Sequence, residues 1–183
     1  IDYCYLTANP SIEQATRPIL VIRERRSKGI WSLAVDKKGA YNTRITERLI
    51  AIINSIGSAK VAIKCDQEPA IREVQRETRN EMWESINEWV KNAKSIKEGG
   101  KDKLMSGGEM IILESSLVGE SQSNGYAEQA VRAVQGQIRT LKNQLEDHVG
   151  GRIDSSNPVW PWLIEFAGQV MIYLYTVSYT HLT

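Results

Sequence analysis

The sequence predicts an α/β fold in which a mixed sheet of five strands is flanked by helices. Three observations carry this: three short apolar runs come first, strands and amphipathic helices then alternate, and the chain closes on two long helical patterns. The first run is Ile1-Asp2-Tyr3-Cys4-Tyr5-Leu6. After a Pro-bounded loop from Asn9 to Pro18, Ile19-Leu20-Val21-Ile22 and Ile30-Trp31-Ser32-Leu33-Ala34-Val35 read as strands, and the turn residues Arg25 to Gly29 between them predict a hairpin.

From Asn42 to Ile56 the apolar residues Ile45, Leu49, Ile52, Ile53 and Ile56 recur at helical spacing, and Gly57 stands where a helix C-terminus favours glycine. Ala59 to Cys65 reads as a strand. Pro69 opens a helix through about Arg79, since proline suits the first helical position. Residues 80–108 are polar and end in glycine pairs, but Met82, Trp83, Ile86, Trp89 and Val90 keep helical spacing. The reading there is an extended helix followed by a mobile loop over residues 94–108. Glu109 to Glu114 is a further strand, Ser115 to Asn124 a flexible loop, and Gly125 to about Asp147 a long helix ended by Gly150-Gly151. The apolar run from Trp160 to Tyr175 predicts a last helix against the core.

Composition bounds the function. The 42% hydrophobic and 25% charged residues fit a globular chain of one domain. No apolar run reaches the length of about 20 residues that a membrane span needs, so an intracellular protein without membrane contact is expected. The chain opens inside a strand and reads as a fragment of a longer protein. Cys4 and Cys65 sit in apolar strands, as buried free thiols do. A formal net charge of +1 leaves any affinity for nucleic acid to local patches.

Three acidic residues stand at chemically suggestive places. Asp2 lies in the first strand, Asp66 just past the fourth strand, and Glu128 in the first turn of the long helix. Open α/β sheets bind ligands at the C-terminal ends of their strands, which is where Asp66 falls. Each residue also has a structural reading: a solvated strand-end carboxylate for Asp2, a helix N-cap for Asp66, and an ion pair with Arg132 four residues on for Glu128. The long helix buries Ala127, Ala130, Val131, Val134, Ile138, Leu141 and Leu145 on its predicted apolar stripe, and carries Glu128, Arg132, Gln135, Arg139 and Lys142 opposite.

The segment Ser121-Gln122-Ser123-Asn124-Gly125-Tyr126-Ala127-Glu128 resembles the loop and helix that present the third carboxylate in integrase cores of the Asp-Asp-Glu type, as found in retroviruses and gypsy-like retrotransposons. Lys64-Cys65-Asp66-Gln67-Glu68-Pro69-Ala70 resembles the segment presenting the second, and Ile1-Asp2-Tyr3 the first. The three segments follow the family's order, and the likeness extends over most of residues 1–174. It implies a ribonuclease H-like fold spanning residues 1–176, in which Asp2, Asp66 and Glu128 hold two Mg²⁺ or Mn²⁺ ions. It also implies processing of element DNA ends, then transfer of the 3′ hydroxyl into target DNA. Asn124 and Arg132 would contact DNA, with Gln135, Arg139 and Lys142 continuing that face. The implied assembly is a homodimer or higher multimer, nuclear at the time of integration.

The sequence departs from that family in three ways. Sixty-one residues separate Asp66 from Glu128, a wider gap than in retroviral relatives, and the excess reads as an insertion at about 80–108; loop-closure entropy rises slowly enough with length to tolerate it. The zinc module that precedes many such cores is absent from a chain whose histidines are His148 and His181. Residues 177–183 leave the family's pattern and receive no role. Two alternatives stay open: a ribonuclease H-type nuclease, for which Glu47 is the candidate carboxylate on the first helix, and a degenerate element copy that only binds DNA or protein.

Overall fold

The computed structural model describes residues 1–6, 17–40, 43–58, 60–96, 111–115 and 125–180. The chain forms two compact units, one from Ile1–Lys38 with Leu117–Thr183, the other from Gly39–Ser116.

The first unit is built on an antiparallel meander of β1 (Asp2–Cys4), β2 (Ile19–Arg23) and β3 (Ile30–Ala34). In its register Asp2 faces Val21 and Cys4 faces Ile19, while Val21 faces Ser32 and Arg23 faces Ile30. The predicted hairpin is present. Its turn is closed by the Glu24 amide on the Gly29 carbonyl at 2.9 Å and holds Lys28 at φ 63°, a left-handed conformation that few non-glycine residues adopt. Side chains alternate across a strand, so Asp2, Cys4, Ile19, Val21, Arg23, Ile30 and Ser32 share one face of the sheet. Helices α3 (Gly125–Val149) and α4 (Val159–Thr180) cover it, and Cys4, Ile19, Val21 and Ile30 join Ala130, Val134, Ile138, Leu163, Ile164 and Ala167 in one core.

Both helices end and start as their sequences dictate. Gly150, at φ 69°, lets its own amide and that of Gly151 reach the Glu146 carbonyl, which stops α3. Asn157 caps α4 by accepting the Val159 amide at 3.0 Å. Helix α4 approaches β3 closely at Gly168, and the buried Ser32 hydroxyl donates to the Ile164 carbonyl at 2.6 Å.

The second unit holds α1 (Thr43–Ile56), β4 (Val61–Cys65), α2 (Pro69–Ile96) and β5 (Ile111–Ser115), with β4 and β5 parallel. The spacing of Ile45, Leu49, Ile52 and Ile53 predicts their burial, and all four are buried. Gly57 ends α1 at φ 68°. Buried Gln75 on α2 donates its side-chain amide to the carbonyls of Ile63 on β4 and Glu114 on β5, the second at 2.9 Å, and Thr46 donates to Glu81 at 2.6 Å to join α1 to α2.

Several expectations are refined. The α/β class and the meander hold, but the described strands pair as a three-stranded antiparallel sheet and a two-stranded parallel one. The stretch 80–96 is helix, continuous with the turn opened by Pro69, because its apolar residues kept helical spacing. Residues 97–110, which include most of the stretch expected to be mobile, lie outside the described residues, as does 116–124. The last helix spans Val159–Thr180, past the run from Trp160 to Tyr175 that predicted it.

Candidate functional site

Two hydrogen bonds tie α3 to the residues just after β1. Gln135 donates Nε2 to the Tyr5 carbonyl at 2.6 Å, and Arg139 donates Nη2 to the Leu6 carbonyl at 3.2 Å. Both carbonyls directly follow β1, and α3 packs against that strand, so Asp2 and Glu128 lie on two elements in contact within the first unit. Asp2 also shares the sheet face of Cys4, which is buried against α3 and α4. Burial, with the negative charge of Asp2 as the second cause, pushes the Cys4 thiol up to about 12, as expected for neighbours on one strand face.

The end of β2 meets the same turn of α3. Arg23 stacks its guanidinium 3.9 Å from the centre of the Tyr126 ring and donates Nη1 to Gln129 Oε1 at 2.9 Å and to the Tyr126 carbonyl at 3.3 Å. Its Nε is buried and has no hydrogen-bond partner among the described residues. The sequence reading did not single out Arg23; the signal available was its strand parity with Val21, the partner of Asp2.

The local contacts of the three carboxylates follow their structural readings. Asp2 Oδ1 accepts the Tyr3 amide at 2.8 Å. Glu128, half-exposed, pairs with exposed Arg132 at 3.6 Å. In the second unit, Asp66 directly follows β4 and accepts the Glu68 amide at 3.0 Å, ordering the turn into α2. On the neighbouring strand Glu114 is paired with Lys64, two residues before Asp66. None of these bonds uses up a carboxylate, since each ionised group has about four lone-pair positions. Among the described residues no three His, Cys, Asp or Glu side chains form a group that could hold a metal.

The remaining candidates divide. Gln135 and Arg139 are engaged with the carbonyls of residues 5 and 6, and Lys142 pairs with Glu146 at 2.6 Å. The same Glu146 oxygen accepts the Ile153 amide at 2.6 Å, so Lys142 helps to hold the segment after α3. Asn124 lies outside the described residues. Glu47 is exposed on α1.

No protein-family model matches the chain, and a comparison with curated proteins finds no match either. Among the described residues no helix is long and apolar enough to cross a membrane.

Proposed function

We propose that this chain is the catalytic core of an Asp-Asp-Glu integrase from a retrovirus or retrotransposon, cutting and joining DNA with Asp2, Asp66 and Glu128 as the ligands of two Mg²⁺ or Mn²⁺ ions. The proposal includes a ribonuclease H-like arrangement with all five strands in one sheet. The observation that supports it is that Asp2 and Glu128, residues 126 positions apart, lie on β1 and α3, which pack against each other in the first unit. Asp66 supports it from the end of β4, where ligands of open α/β sheets bind.

The donor set suits such ions: Mg²⁺ takes hard oxygen ligands and keeps several waters, so a few carboxylates and a substrate phosphate suffice. When bound, an ion pair of this kind stabilises the attacking and leaving oxygens of an in-line displacement. The protein's part is to hold three anionic groups in place. Asp2 is held by its strand pairing and the Tyr3 amide, Glu128 by α3, and Asp66 by the turn it caps. Arg132, with Gln135, Arg139, Lys142 and Asn124, would face the DNA of the element end or the target, and a homodimer or higher multimer is the expected working form.

The test is Asp66→Asn. Asparagine caps a helix about as well as aspartate, within a few tenths of a kcal/mol, so the Glu68 bond and the fold survive while the charge is lost. Labelled element-end DNA incubated with Mg²⁺ or Mn²⁺ should be cut and joined by the native chain, and not by the variant. Native activity in Asp66→Asn would overturn the assignment. A native chain inactive with both metals would favour a degenerate copy.

A further inference from the structure

We propose that the tip of the β2–β3 hairpin, through Arg25 and Arg26, is a phosphate-gripping site for duplex DNA, built to hold the backbone of the strand beside Glu128. The inference rests on the DNA-acting reading above and adds a contact surface to it. Six consecutive residues, Arg23 to Lys28, carry four cations and one carboxylate in a chain whose net charge is only +1. That concentration is the local patch which a near-neutral nucleic-acid binder requires.

The cations have different duties. Arg23 is turned inward onto Tyr126 and Gln129, and the Lys28 ammonium sits 5.4 Å from the same ring. Arg25 and Arg26 are exposed. The carboxylate of Glu24 is folded into the turn, accepting the Arg26 amide at 2.6 Å and the Ser27 amide as well, and its single charge offsets only part of the pair, acting on Arg26. The tip is anchored from below: the Tyr126 hydroxyl lies 3.3 Å from the carbonyl oxygens of both Glu24 and Arg25. Tyr126 stands two residues before Glu128. The ring thus joins the hairpin backbone to the turn of α3 that carries the acidic residue, and a phosphate held by Arg25 or Arg26 lies next to that turn. A planar guanidinium is suited to this, because its fork of N–H donors matches phosphate oxygens in pairs.

The experiment is fluorescence anisotropy of a labelled DNA duplex with the full chain, in EDTA and over a series of salt concentrations. Arg25→Ala/Arg26→Ala should bind more weakly, and its plot of log affinity against log salt should be shallower by about 1.8, since each lost phosphate contact removes about 0.9. Arg25→Lys/Arg26→Lys should keep the native slope. Native affinity and slope in the double alanine variant would overturn the hairpin site while leaving the integrase reading intact. A shallower slope in a chain that performs no metal-dependent cleavage would keep the hairpin and remove the integrase reading. A native chain that binds no DNA at any salt would remove both.

Discussion

Gly168 offers the sharpest test of the packing that holds the first unit together. A Cβ built there would lie 2.7 Å from both the backbone nitrogen and the hydroxyl of Ser32, and 3.4 Å from the Trp31 carbonyl carbon. Backbone in the sheet cannot swing aside as a flexible side chain can, so Gly168→Ala must push α4 off β3. Overpacking of this kind costs about 1–3 kcal/mol, and disturbing the Ser32 bond to the Ile164 carbonyl adds about 1 kcal/mol. Against this stands a helix-propensity gain of about 1 kcal/mol for alanine over glycine. The clash wins, and the net loss is about 1–3 kcal/mol. Gly136, exposed on α3 with nothing near its own built Cβ, supplies the opposite sign: Gly136→Ala should stabilise by up to about 1 kcal/mol. Thermal unfolding of the two variants should therefore move in opposite directions, by about 2–4 °C per kcal/mol in a chain of this size. If Gly168→Ala stabilises as Gly136→Ala does, the close approach of α4 to Ser32 is wrong.

Two further outcomes follow from buried groups. Gln75→Leu leaves the Ile63 and Glu114 carbonyls without their amide and should destabilise the second unit by about 2–6 kcal/mol, at about 1–3 for each unpaired group; urea unfolding within about 0.5 kcal/mol of native, a change of about the size of an ordinary surface substitution, would contradict the bridge. The Cys4 thiol, pushed from the usual 9.0 to about 12 by burial and then by Asp2, keeps its proton in the fold where the unfolded chain loses it. Its stabilising share is complete below pH 9.0 and is lost as the pH rises towards about 12. Asp2→Asn removes the second cause, so the pH dependence of Cys4 alkylation should shift downward, and an unchanged profile would place Asp2 away from that face.

What the sequence disclosed was what local rules govern. The hairpin of β2 and β3 was legible because its turn residues and its apolar runs are contiguous, and α1 because Gly57 supplies the left-handed residue that ends it. The pairing of β4 with β5 was not, since nothing in Val61–Cys65 or Ile111–Ser115 encodes which strand lies alongside. Gln75 was invisible for a related reason: a glutamine inside a helix reads as surface until two strand carbonyls are found beneath it. The three carboxylates are candidates from motif order alone, and the groups they contact, Tyr3, Glu68 and Arg132, lie close to them in sequence. The tie between Arg23 and Tyr126, 103 residues apart, lies beyond any local pattern.

The α3 face read as a cationic surface needs a finer interpretation, and Arg139 decides it. In the sequence Arg139 is one of several cations at helical spacing, so Arg139→Ala would test DNA grip alone. In the structure its guanidinium also holds the Leu6 carbonyl, four residues beyond Asp2, so the same substitution loosens the strand that carries a proposed metal ligand. Gln135 separates the two effects, because it makes the equivalent bond to Tyr5 without a charge. Each bond contributes about 0.5–1.5 kcal/mol, so both alanine variants should lower the unfolding midpoint to a similar extent. Only Arg139→Ala should make the salt dependence of DNA binding shallower, by about 0.9 if it meets one phosphate. If both variants lose stability and both keep the native salt slope, this face of α3 serves to position β1 and makes no phosphate contact.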